Sequence, residues 1–137
     1  IEIIAGKNGP LGDDTVARAL DELYALGIKP DWWKLEPQAS KAAWKRIEAT
    51  IARHDPWCRG IVLLGLDAPA AELEAAFSAT ADTAIVKGFA VGRTIFAHAA
   101  EEWLAGRMDD EAAIAEMAER FGRLTEAWLA TRKRAAA

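Results

Sequence analysis

The chain has 137 residues, enough for one ordinary domain with a real core, and its 52% apolar and 28% charged composition is that of a globular rather than a disordered protein. Its 17 basic and 21 acidic residues leave a formal net charge of −4, which argues against nucleic acid as the partner, because binding phosphates wants a positive face. No apolar run approaches the roughly 20 residues needed to span a bilayer, the N-terminus does not look like a signal peptide, and the single Cys58 can form no internal disulfide, so a cytoplasmic protein is expected.

In chain order, short apolar runs alternate with longer amphipathic stretches. The strand-like IEIIAG (Ile1–Gly6) leads into the loop KNGPLGDD, where Asp13 or Asp14 can cap a helix with Val16, Leu20, Leu23 and Tyr24 at helical spacing; Gly27 ends it. The chain opens on this apolar run with no methionine, so an upstream segment is expected. DWWKLEP (Asp31–Pro37) begins a second unit, whose helix runs from about Ser40 with Ala43, Trp44, Ile47 and Ile51 on one face. GIVLLGLD (Gly60–Asp67) is the clearest strand, and Pro69 suits the first turn of a helix carrying Leu73, Ala76 and Phe77 inward. TAIVKGFAVG (Thr83–Gly92) begins the fourth unit, with a helix through Phe96, Ala99 and Trp103. A last long helix starts near Asp109, with Ile114, Met117, Phe121, Leu124 and Trp128 three and four apart. The six tryptophans are assigned mostly to helical core positions.

Four βα units in succession predict a parallel sheet with right-handed crossovers. The period of roughly 30 residues fits either a small doubly wound, flavodoxin-like sheet or half of a (β/α)8 barrel, which runs to about 250 residues in full. The abrupt start favours the half-barrel.

In both architectures chemistry collects where strands end, and polar residues stand there: Lys34 and Glu36 after DWW, Asp67 after GIVLLGL, Lys87 within AIVKGF and Arg93 closing FAVGR. Lys34, flanked by Trp33 and Leu35, has two readings. A desolvated amine would be a nucleophile toward a carbonyl; a strand-end lysine would carry its charge out to water. Glu2, between Ile1 and Ile3, is a proton-transfer acid or an edge residue of a frayed terminus. GFAVGR is a phosphate-site candidate, since Gly88 and Gly92 admit an anion to the backbone, a helix N-terminus follows, and Arg93 binds in a fork; Lys87 assists there or faces solvent. His54 and His98 have no metal-ligand spacing with Cys or a carboxylate, so no metal is assigned. Cys58, in the turn HDPWCRG, lacks an activating base, and the basic tail TRKRAAA suits a helix C-terminus.

Taken together, EIIAG, DWWKLEP, RGIVLLGLDAP and VKGFAVGRTIF, in this order and over essentially the whole chain, resemble the C-terminal aldolase-like domain of bacterial two-domain myo-inositol catabolism proteins. In those proteins a sugar kinase domain (5-dehydro-2-deoxygluconokinase) precedes it. The chain is more distantly similar to class I tagatose-bisphosphate aldolases, which carry a glutamate in a strand LEIL, a lysine in a strand LKVE and a GR before the last barrel helix. The resemblance implies an α/β fold over residues 1–137, namely strands five to eight, the C-terminal half, of a (β/α)8 TIM barrel with an extra C-terminal helix. It implies that Lys34 is the Schiff-base lysine, Glu2 the proton-transferring glutamate, and Arg93 with the backbone near Gly92 the phosphate holder. Gly65 to Asp67 would line the pocket, although LLGLDA stands where the aldolases have a serine-bearing loop. The implied reaction is cleavage of 6-phospho-5-dehydro-2-deoxygluconate to dihydroxyacetone phosphate and malonate semialdehyde, with no metal or organic cofactor. Strands one to four would lie upstream, a kinase domain would be the N-terminal neighbour, and the two unpaired sheet edges of the half-barrel would favour a homo-oligomer with little or no activity. The rival is a non-catalytic domain that binds a sugar phosphate or dimerises.

Overall fold

A computed structural model describes the chain except Ala39, Leu66, Asp67, Ala136 and Ala137, and gives no side-chain surroundings for Asn8, Arg134 and Ala135. Among the described residues it holds four strands, β1 (Glu2–Ile3), β2 (Trp32–Leu35), β3 (Gly60–Leu64) and β4 (Val86–Ala90). The helices are α1 (Thr15–Ala25), α2 (Lys41–His54), α3 (Ala70–Ala79), α4 (Arg93–Leu104) and α5 (Asp110–Ala135), with a 3-10 turn at Gly6–Asn8. Each strand is shorter than its apolar run in the sequence, because the ladder stops where the chain turns toward the next helix. The chain divides into two compact units, Ile1–Leu64 with Ala79–Ala90, and Gly65–Ser78 with Val91–Ala137.

The first unit contains the whole sheet. Its strands are parallel and lie in sequence order, β1-β2-β3-β4. A flavodoxin-like sheet reverses its order at a switch point, and no such reversal occurs here, whereas four successive barrel strands would have this order. The registers align Glu2 with Lys34, Lys34 with Val62, and Val62 with Gly88; a bulge between β3 and β4 leaves Lys87 as the extra residue.

Strand alternation sorts β2. Trp33 and Leu35 are fully buried, as are Ile61 and Leu63 beside them on β3. Trp33 meets α1: its indole Nε1 donates to the Tyr24 hydroxyl at 2.7 Å, and the two rings pack edge to face. The buried stripe of α1 is Val16, Leu20 and Tyr24, that of α2 is Ala43, Trp44, Ile47 and Ile51, and the two helices pack on one another.

The helix ends show which local signals act. Gly27, at φ +80°, closes α1 with the Ile28 N–H on the Leu23 carbonyl and its own N–H on Tyr24, a double bond pattern that wants a residue without Cβ. Ser40 caps α2 by accepting from the Ala43 N–H. Asp14 holds the N-cap position of α1 without a side-chain cap bond, and Asp13 instead accepts the Ser40 hydroxyl at 2.6 Å, so neither aspartate caps as expected. Between these helices, Arg53 and His54 of α2 both reach Asp21 of α1, and His54 stacks on Tyr24. The Asp21 carboxyl is held below its ordinary value of 3.8, first by the Arg53 bond and then by His54.

In the second unit, Leu73 and Phe77 of α3, Ala99 of α4, and Ala113 and Leu124 of α5 are buried, and Phe77 meets Trp128 edge to face. Asp109 caps α5 through the Ala112 N–H. Several side chains expected in the helical core are exposed instead: Phe96, Trp103, Ile114 and Phe121. The tryptophans depart from their assignment as well. Trp44 is the helical one that is fully buried; Trp33 is buried on a strand, Trp57 is exposed in a turn, and Trp32 and Trp103 are exposed as well. Periodicity marks an apolar stripe but not how much of it is covered.

Candidate functional site

Glu2 and Lys34 face each other across the β1–β2 ladder. Their Cα atoms are register partners, and the Lys34 Nζ lies 2.8 Å from the Glu2 Oε2. Because Trp33 and Leu35 turn toward the α1 side, Lys34 projects from the opposite face of the sheet, with Glu2 on the same side. Trp33 and Leu35 thus occupy the other face and do not pack beside the lysine. The Lys34 side chain is 35% exposed and that of Glu2 41%.

Glu36, just past the end of β2, is the residue that the sequence reading left without a role. It is 4% exposed, and its Oε1 accepts both the Ala5 N–H at 2.7 Å and the Gly6 N–H at 2.8 Å. A Cβ on Gly6 would stand 2.8 Å from the other carboxylate oxygen, so a side chain there would require the carboxylate to shift. The Glu36 carbonyl in turn accepts from the buried Gln38 amide. The signal was an acidic residue directly after the strand WWKL; the partners, some 30 residues away, were not readable.

Of the other predicted site residues, Gly88 and Lys87 lie on β4 in the first unit, Gly65, Gly92 and Arg93 belong to the second, and Asp67 lies outside the described residues. Gly92 stands at the N-cap of α4 and Arg93 is its first residue. The first turn closes locally, with the Ile95 and Phe96 N–H groups on the Gly92 carbonyl. Arg93 borders a surface hollow of about 370 Å3 shared with Pro69, Thr94, His98, Glu101 and Arg120. Two of these side chains share a partner outside it, for Glu116 accepts from Arg120 and pairs with His98. Gly65 was expected to line a ligand pocket; a Cβ there would lie 2.5 Å from the Val91 side chain, so close packing against Val91 also favours glycine.

Back in the first unit, Cys58 borders a hollow of about 390 Å3 with Glu48, Asp55, Arg59 and Lys87. Burial, the leading cause, pushes its thiol above the ordinary range, which suppresses the reactive thiolate. Among the described residues, no group of three or more His, Cys, Asp or Glu side chains is placed to hold a metal ion. Nor is any described helix long and apolar enough to cross a membrane.

The bacterial family described as "Uncharacterized protein conserved in bacteria (DUF2090)" matches residues 1–132, and the chain belongs to it. No curated protein and no solved structure matches the chain.

Proposed function

We propose that the chain is the strand-five-to-eight part of a (β/α)8 class I aldolase domain, in which Lys34 forms an imine with a phosphorylated keto-sugar acid. The observation that carries this reading is the 2.8 Å contact between the Lys34 Nζ and the Glu2 Oε2, made on the sheet face turned away from α1. An imine-forming lysine needs a carboxylate within hydrogen-bond reach that can accept and return protons, and this pair supplies one.

The steps follow from that geometry. Glu2 takes a proton from the Lys34 ammonium, and the freed amine adds to the substrate ketone; loss of water leaves a protonated imine. Removal of the proton from the hydroxyl two carbons from the imine carbon lets the intervening carbon–carbon bond break. The bonding electrons move into the iminium, giving an enamine on Lys34 and a free aldehyde. Protonation of the enamine carbon and addition of water then release the ketone and restore the lysine. For 6-phospho-5-dehydro-2-deoxygluconate, the substrate suggested by the resemblance, the products are dihydroxyacetone phosphate and malonate semialdehyde.

Arg93 and the Gly92 backbone are proposed as phosphate contacts on the same resemblance, supported within their own unit by the helix start they form. A kinase domain as N-terminal neighbour, a homo-oligomer and a cytoplasmic setting belong to this proposal too.

The test, on the longest chain that contains this segment, is borohydride reduction in the presence of dihydroxyacetone phosphate, read by intact mass, beside a Lys34→Ala variant. The expected result is one reduced adduct on the wild type and none on the variant. An adduct that persists in the variant, or a folded full barrel carrying this segment that forms none, overturns the imine reading. The second reading, a non-catalytic domain that binds a sugar phosphate, is favoured by the exposure of both charges, since a solvated ion pair is also an ordinary strand-edge feature. It predicts phosphate-dependent binding with no trapped adduct.

A further inference from the structure

We infer that Glu36 is a positioning residue that acts through Glu2: its carboxylate fastens the end of β1 to β2 and thereby holds Glu2 against Lys34. The inference rests on the imine reading for its consequence, but the contact it concerns is described by geometry alone.

β1 is a two-residue edge strand, too short to be held by its ladder. On its N-terminal side two bonds tie it to β2, from the Lys34 N–H to the Ile1 carbonyl and from the Ile1 amino group to the Trp32 carbonyl. On its C-terminal side the ladder has ended, and the next two N–H groups, Ala5 and Gly6, point at a single oxygen of Glu36. A side chain thus takes the place of a strand. Charge-assisted bonds of this length are about twice as strong as neutral ones, and the Glu36 side that makes them is buried although Gly6 itself is exposed. Glu2 lies between these two attachments, and its position opposite Lys34 depends on both.

The Glu36 carboxylate is directed at the backbone of Ala5 and Gly6. Its Oε1 is engaged by the two N–H groups, and its Oε2 packs on Gly6. Its effect on Lys34 is therefore predicted to pass through the strand that carries Glu2.

The experiment is competitive acetylation of the folded chain with acetic anhydride at one neutral pH, with peptide mass spectrometry resolving Lys34 and exposed Lys133 as internal reference. Glu2→Gln, which removes the partner charge, is expected to raise Lys34 labelling by about two- to fivefold, the range set by the loss of a solvated ion pair. Glu36→Ala is expected to raise it by the same factor, and the double variant no further, because the second change removes an interaction already lost. Glu36→Gln keeps an oxygen for the two N–H groups and is expected to restore the wild-type rate. Gly6→Ala, whose new methyl displaces the carboxylate, is expected to act like Glu36→Ala and carries the test if that variant fails to fold. Wild-type labelling in folded Glu36→Ala or Gly6→Ala, or an effect undiminished in the Glu2→Gln background, overturns the inference. Failure of the imine reading would be seen instead in the borohydride experiment, which this one does not use.

Discussion

The two units of the molecule solve the problem of holding side chains in place differently. In the first, a parallel sheet fixes positions to the residue: Trp33 goes to α1, Lys34 to the opposite face, and even the polar groups of α1 and α2 have named partners in Asp21, Arg53 and His54. In the second, amphipathic helices bury one stripe and leave another open. Six of the ten large apolar side chains exposed among the described residues are there, on α4 and α5. The difference teaches where a function can be placed with confidence in the geometry. A ladder specifies which atoms meet, whereas a helix stripe specifies only which way a surface faces.

The sharpest way to break this contrast is to remove the side chain that joins sheet to helix. Trp33→Ala is expected to cost about 3–5 kcal/mol in chemical denaturation, since it empties a fully buried site and strands the Tyr24 hydroxyl. Next in size is a pair of substitutions within α5. Leu124→Ala is expected to cost about 2–5 kcal/mol, while Phe121→Ala, a larger side chain that stands exposed, changes stability by about 0.5 kcal/mol or less. Equal losses at the two positions would mean that the open stripe of α5 is covered in solution.

A smaller effect tests the polar link between α1 and α2. Because Asp21 titrates below its ordinary 3.8 in the folded chain, its stabilising contribution is present above that value and disappears as the pH falls through the lower folded value. Asp21→Asn is therefore expected to be less stable than wild type at neutral pH, with the gap closing in strong acid; a gap that persists there would show that the carboxylate's charge is not what matters. Smallest of all is a rate. Cys58, its thiol pushed up by burial, is expected to alkylate with iodoacetamide more slowly in the native chain than in the urea-unfolded chain at the same pH.

Much of the first unit was legible in the sequence because its determinants are local. GIVLL is a strand on composition alone, Gly27 stops α1 because the bond pattern there wants a left-handed residue, and Ser40 caps α2 within its own turn. The placement of Glu2 beside Lys34 came from a family resemblance, since nothing local fixes the register of a two-residue strand. What could not be read depends on distant partners. Asp13 is drawn from capping by Ser40, 27 residues away, and Glu36 closes on backbone groups 30 and 31 residues before it. The openness of Phe96, Trp103 and Phe121 was hidden for another reason: spacing records the direction of a stripe but not whether anything lies against it.

The alternation along β2 has one more consequence, for experiment and for evolution alike. The register of this strand is anchored by Trp33 and Leu35, and a slip of one residue would drive the lysine into the apolar layer and expose the indole. Lys34 itself contributes little to that anchoring, so the amine can be exchanged without disturbing the scaffold that presents it. Reactivity and foldedness are thus separable properties of adjacent residues, and a lineage that lost the first would keep the second.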